Sequence, residues 1–339
     1  MLNNSFSRQH SKWRTLLTSL LIYIVSLGCL IWVLTGINWN ELWGELSHAD
    51  IRWIIMAGSF EFGNDVYHAW RWNLLLRPVS HLKLWRTVRA LYVGLFTNEI
   101  LPLRPGEVIR SYLLAGWNRM AFSLVISSVA LERLLDGFSL VVALSFTAVF
   151  VSLPAYLVTG ARLMAAFLIL AACLLLFLLW RIRDRASLPR WMHRFGAAIE
   201  GIRLMANART LAICAIASVV QLGLQAFPYW ALSKSCRLDL SVWALIAVLI
   251  VVRTATAIPS APGNAGLLQV ACVLALGLFG IDKTLATGFA ALLFLVLAVP
   301  LLLGGAVVVA FTGVSIRGLR RSMVEISTTH SRSGRSRRS

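Results

Sequence analysis

The chain has 339 residues, of which 58% are hydrophobic and 14% charged, with a mean hydropathy of +0.76. Soluble domains run nearer half apolar and about a quarter charged, so this composition excludes an ordinary soluble domain and points to a polytopic membrane protein. The net charge of +18 raises nucleic acid as a partner, but most of that charge sits in the connections between apolar runs, where it reads as a topology signal.

A spanning helix needs roughly 20 apolar residues at about 1.5 Å each. The first run, 16–34, follows Arg8, Lys12 and Arg14. It exceeds the ~7–15-residue core of a signal peptide and lacks a small-residue cleavage site, so it is read as an uncleaved first helix. Further spans are predicted near 51–70, 121–153, 161–180, 210–232, 241–257, 264–281 and 284–312. A ninth apolar region, 87–118, is broken in its middle. The connections at 71–89 and 181–209 and the tail are rich in arginine, whereas 36–50 carries Glu41, Glu45 and Asp50. The positive-inside rule therefore places both termini in the cytoplasm, which requires an even number of crossings. Eight spans satisfy this if 87–118 enters and leaves on one side as two half-helices. The predicted fold is an all-α polytopic helix bundle of about eight transmembrane helices plus re-entrant half-helices, in the cell (inner) membrane. Its predicted divisions are a cytoplasmic segment 1–14, a membrane domain 15–315 and a basic, disordered cytoplasmic tail 316–339. The connection 181–209 is at most an amphipathic surface helix.

The break in 87–118 reads LPLRPGEVIR, and IPSAPGNAGL repeats its Pro-x-x-Pro-Gly skeleton downstream. Pro102, Pro105 and Gly106 in the first copy, and Pro259, Pro262 and Gly263 in the second, free backbone groups that hydrocarbon cannot satisfy. Interruptions paired in two halves of a membrane chain point to a transporter's binding site, and half-helix N-termini suit phosphate. Shared ancestry of the two copies and simple structural punctuation both fit the pattern.

Charges at bilayer depth cost at least about 2.5–3.5 kcal/mol each and tend to be paired and functional. The first break carries Asn98, Glu99, Arg104, Glu107 and Arg110. Arg104 and Arg110 are candidates to grip a phosphodiester, with Glu107 pairing one of them; a self-neutralising structural network is the competing reading. Glu132, Arg133 and Asp136 form a second group. The run 121–153 is too long for the hydrocarbon core, so this trio is expected near the cytoplasmic boundary, beside the first break. The second break is preceded by Arg253 and contains Asn264. Glu61, Asp65 and His68 share one face of the second span. Proton relay, metal binding, or pairing with Arg253 or Arg133 are the readings open to them, and no metal site is assigned.

Tryptophans such as Trp39, Trp43, Trp53, Trp70, Trp72 and Trp180 flank spans as an interfacial belt. Five scattered cysteines include no Cys-x-x-Cys pair and are read as small apolar packers. Nucleophile, zinc, P-loop and dinucleotide signatures are absent, so no catalytic residue and no cofactor are assigned.

The motif Asn98-x-x-Leu101-Pro102-Leu103-Arg104-x-Gly106-Glu107-x-x-Arg110, with Arg71-Trp72, Glu132-Arg133-x-x-Asp136 and the stretch 258–266, resembles the lysylphosphatidylglycerol synthase transmembrane-region family of flippase-like membrane proteins. The resemblance covers about 15–315. It implies a bundle of roughly eight helices with re-entrant elements. In two-domain relatives this region moves aminoacylated phosphatidylglycerol between leaflets, and a separate cytoplasmic domain makes that lipid. The chain stops soon after the last span, so the aminoacyltransferase domain and lysyl-lipid synthesis are not expected here. Where the family reads Pro-Gly-Gly-x-Gly, this chain has Asn264 after Gly263.

The function expected is binding and translocation of a phosphate-containing lipid, an anionic phospholipid or a polyprenyl-phosphate-linked glycan. The rivals are a membrane-embedded lipid-modifying transferase and a non-catalytic accessory subunit of an envelope lipid or polysaccharide synthase. Membrane lipids are the expected partners, with envelope-biosynthesis enzymes as a further class and nucleic acid excluded.

Overall fold

A computed structural model describes residues 20–101, 104–151, 154–181, 196–258 and 260–312. Segments 1–14 and 316–339, residues 182–195 of the 181–209 connection, and Pro102 and Pro259 lie outside these residues. The described part is helical: α1 (Leu20–Leu34), α2 (Trp39–Ser47), α3 (Ile51–Leu76), α4 (Leu84–Ile100), α5 (Gly106–Asn118), α6 (Phe122–Phe150), α7 (Ala155–Arg181), α8 (Gly196–Met205), α9 (Ala208–Ser235), α10 (Val242–Thr256), α11 (Leu267–Gly277) and α12 (Lys283–Thr312). Local chemistry starts several of them. Asn38 Oδ1 accepts from the Asn40 and Glu41 amides, Asp50 Oδ1 from Arg52, Ser241 Oγ from Ala244 and Asp282 Oδ2 from Thr284, each satisfying an amide that the first turn leaves free. The Thr284 amide also holds the exposed Asp282 carboxyl below its ordinary pKa.

Among the described residues α6, α9 and α12 are long and apolar enough to cross a membrane, and α1, α10 and part of α7 are shorter apolar helices. The chain is thus a membrane protein built from helices. α3 has 26 residues, about 39 Å, but carries charge along its inner half. It runs antiparallel to α9: the Asp50 amide donates to Ser235 O, Trp53 meets Trp230 edge-on, Phe60 stacks on Phe227, and Tyr67 Oη donates to Ala217 O.

Two helical hairpins break this regularity. The first is α4–α5, with 17 and 13 residues, about 25 and 20 Å, each short of a ~30 Å core. Its limbs are antiparallel, because Arg86 near the start of α4 donates to Trp117 O and Asn118 Oδ1 at the end of α5. At the tip the limbs touch through glycine: a Cβ on Gly106 would lie 1.9 Å from Gly94 O. The second hairpin is α10–α11, with 15 and 11 residues, about 22 and 16 Å. The stretches 241–257 and 264–281, expected as full spans, are these short limbs. They start and finish near the opposite end of the bundle, where Trp243 stacks on Phe150 at the end of α6, and Phe279 and Ile281 share a core cluster with Leu238 and Leu240. Lys283, just beyond, donates to Trp32 O and Thr35 O at the end of α1.

The two hairpins therefore approach from opposite ends and meet in the middle. Arg104 at the first tip donates to Thr256 O at the second, and a Cβ on Gly263 would lie 2.7 Å from Glu99 Oε2. α12 seats the first hairpin, with Gly304 against the Tyr92 ring and Gly305 against Phe96. α8 packs on α6 as a short helix within the 181–209 connection.

α6 is one continuous helix of 29 residues, with Glu132, Arg133 and Asp136 in its central turns. One expectation needs correction. Trp72 is no belt residue: it is fully buried and donates from Nε1 to Ser128 Oγ at 2.9 Å. Trp39, Trp43 and Trp70 are exposed, as an interfacial belt requires.

Candidate functional site

At the first break α4 ends at Ile100 and α5 begins at Gly106. Asn98 Oδ1 accepts the Gly106 amide at 2.7 Å, so this side chain holds the turn closed. Arg104 adopts φ +52, a left-handed conformation that non-glycine residues rarely take, and this turns the chain back between the limbs. At the second break Pro262–Asn264 form a single 3-10 turn, with Gly263 at φ +64, Asn264 at φ +54 and Gly266 at φ +86. Asparagine tolerates this region better than other non-glycine residues, so Asn264 keeps a backbone for which glycine is the usual choice. Its Oδ1 accepts from Ser260 Oγ at 2.9 Å. Gly266 lies against α1, since a Cβ there would fall 2.3 Å from Ser26 O.

The charged residues divide into two groups. The first ties the α5 limb to α3 and α6. Buried Glu132 accepts from Arg110 Nη2 at 2.7 Å and Arg71 Nη2 at 3.1 Å, and contacts His68 Nε2 at 2.6 Å. Arg71 Nη1 reaches Asp136 Oδ1 at 2.6 Å and also donates to Ser218 Oγ. Arg110 lies 4.5 Å over the Trp72 ring. Arg133 pairs with Glu107 and reaches Asp136 Oδ2 at 3.5 Å. Three guanidinium groups meet three carboxylates here, with His68 against Glu132 and Tyr67 and Cys214 near Arg71. The spacing of Glu132 and Asp136 does put both on one helical face, and Arg71 bridges them.

The second group surrounds the meeting tips. Arg104 sits within electrostatic reach of Glu99, Arg253, Glu107 and Arg133. Arg253 Nε donates to Gln225 Oε1 at 3.0 Å, and its side chain is exposed. Glu61 faces Arg253, and Asp65 lies within reach of Glu61, Glu99 and Arg253. Here three carboxylates share two guanidinium groups.

Arg104 and Arg110 thus occupy different surroundings: Arg104 is at the tip, and Arg110 is committed to Glu132 and Trp72. Glu107, Arg133 and Asp136 form one half-exposed set beside the first hairpin. Arg253 and Asn264 both belong to the second hairpin. Glu61 and Asp65 separate from His68, which joins Glu132. Among the described residues no group of three or more His, Cys, Asp or Glu side chains is arranged to hold a metal ion. Sequence reasoning left Arg71, Gln221 and Gln225 out of the site and gave Glu99 no role. Arg71 had a visible signal, as the arginine of Arg71-Trp72. Gln221 and Gln225 had none, since polar residues in an apolar helix announce depth but not direction.

A family profile described as lysylphosphatidylglycerol synthase TM region matches residues 16–305. No curated protein matches the chain.

Proposed function

The chain belongs to the lysylphosphatidylglycerol synthase TM region family, and from that premise we propose that it binds a phosphate-containing lipid at the meeting hairpin tips and moves it between leaflets. The lipid class is an anionic phospholipid or a polyprenyl-phosphate-linked glycan. The observation that carries this reading is the tip-to-tip contact of two helical hairpins entering from opposite ends, with Arg104 and Arg253 beside it. Arginine supplies a permanent charge and a planar fork for phosphate, and unwound backbone at a helix break supplies free amides. A site flanked by one hairpin from each side opens to either leaflet by small movements of one hairpin against the other. Asn264 and the Gly263 turn form the wall opposite Arg104. In this arrangement the Glu132 network is the fixed anchor of α5, and the tips are the moving parts. Six crossings, by the first apolar run 16–34 that contains α1 and by α3, α6, α7, α9 and α12, with two re-entrant hairpins leave the termini on one side, which the arginine-rich connections assign to the cytoplasm.

The test is leaflet exchange of labelled lipids in reconstituted vesicles. An Arg104→Ala, Arg253→Ala double variant is expected to lower exchange by at least about tenfold, the loss of roughly one charge-assisted contact. Unchanged exchange in that variant removes the site assignment. Recovery of a chemically altered lipid from the wild-type vesicles would favour the transferase reading instead.

A further inference from the structure

Buried side-chain atoms that lack a hydrogen-bond partner among the described residues fall into two classes by location. Around Glu132 they are all donors: Arg71 Nε, Arg110 Nε and Arg110 Nη1. Beside Glu61 and Asp65 they are all acceptors: Asp65 Oδ2, Asn64 Oδ1 and Gln221 Oε1. Asn64 and Asp65 are 4% and 5% exposed and Gln221 is 5% exposed. The Asn64 amide is held against the cluster, because its Nδ2 donates to Glu61 Oε1 at 3.3 Å. Gln221 reaches the same level of α3 by the antiparallel register that pairs Tyr67 with Ala217 and Phe60 with Phe227. Unpartnered buried acceptors cost about 1–3 kcal/mol each, so a set of them is a socket for something that donates.

The elements packed on this face bring few charges. α4 brings Glu99 and Tyr92, α10 brings Arg253, α9 brings Tyr229, and the first tip brings Arg104. α12 has no charged residue between Thr284 and Thr312. Glu132 and Asp136 on α6 serve His68 and Arg71, one to two turns further along α3. The face therefore holds three carboxylates and two guanidinium groups. At bilayer depth an uncompensated carboxylate is expensive, and the cheapest compensation is a proton.

We propose that Glu61, Asp65 and Glu99 form an exchangeable-proton site that holds one proton at rest, takes up a further one when a lipid phosphate engages Arg104 and Arg253, and releases it when the lipid leaves. The inference deepens the lipid-binding reading and rests on it for its trigger. Once a phosphate takes the two guanidinium groups, the carboxylates lose their counter-charge and take up protons, carboxylate becoming carboxylic acid with no other bond changed. Binding of the phosphate and of the proton are then reciprocally linked, so a pH difference across the membrane drives lipid movement.

The experiment has two arms. Titration calorimetry of the purified protein with dihexanoyl phosphatidylglycerol, in two buffers of different ionisation heat, counts protons taken up on binding. About one proton per lipid is expected, falling severalfold in a Glu61→Gln, Asp65→Asn double variant and, as a milder change in case that variant misfolds, in Glu99→Gln. Binding without any buffer dependence overturns the proposal. The second arm needs no lipid: dicyclohexylcarbodiimide labels protonated carboxyl groups in apolar surroundings. Labelling on Glu61, Asp65 or Glu99 that declines with rising pH is expected. If the protein binds no lipid but labels in this way, the proton site stands and the lipid reading falls. Absence of such labelling, or protection by sodium ions at constant pH, overturns the proton site.

Discussion

At the scale of residues, the arrangement depends on a few side chains whose partners are remote in sequence. Glu132 is nearly sealed from solvent and neutralises Arg71 and Arg110. Removing one member of a buried ion network leaves uncompensated charge at a cost of about 3–5 kcal/mol. Glu132→Ala is therefore expected to lower the unfolding midpoint in detergent strongly, and adding Arg110→Met is expected to recover part of the loss. A cost for the double variant equal to the sum of the single costs would show that the two residues do not act as one unit. Asn264 makes a second prediction. With φ at +54, Asn264→Gly is expected to be tolerated within about 0.5 kcal/mol, whereas the β-branched Asn264→Val is strained by about 1–3 kcal/mol. Equal thermal stability of the two variants would contradict the left-handed assignment. Sequence alone named Arg104, Arg110, Glu132 and Asp136, because ionisable groups in apolar runs stand out. It did not reveal that Arg71 bridges Glu132 to Asp136 or that Arg110 lies on Trp72, since pairing depends on the rotation of α3 against α5 and α6.

At the scale of elements, the first hairpin is held by three devices: the glycine contact at its tip, the Asn98 cap and the Arg86 clasp at its base. A methyl group on Gly106 would overlap Gly94 O, and neither limb can retreat without losing the Asn98 bond. Gly106→Ala is expected to abolish leaflet exchange and lower expression. Asn98→Ala is expected to cost about 1–3 kcal/mol, the loss of the acceptor for one buried amide. Leaflet exchange in vesicles measures the first and thermal unfolding in detergent the second, and an Asn98→Ala protein as stable as the wild type would show that the amide has another partner. The first break was legible because two prolines, a glycine and three charges interrupt an apolar run. The second was only half legible. Hydropathy counts the apolar residues of α10, the turn and α11 alike, so two limbs of about 22 and 16 Å looked like two spans.

At the scale of the molecule, the two hairpins enter pseudo-symmetrically. One hairpin comes from each end, their tips touch at Arg104 and Thr256, and a carboxylate-rich face of α3 lies beside the contact. Alternating access and proton linkage both require this meeting at depth; a hairpin that merely lay on the surface would give neither. The most direct measurement is side-specific thiol labelling of single cysteines placed at the hairpin bases, in sealed vesicles of one orientation and on a background without native cysteines. Lys83→Cys and Arg119→Cys are expected to react with an impermeant maleimide from one side, Asp239→Cys and Asp282→Cys from the other, and Leu101→Cys from neither at a comparable rate. Reaction of Lys83→Cys and Arg119→Cys from opposite sides would make α4 and α5 true crossings and contradict the account.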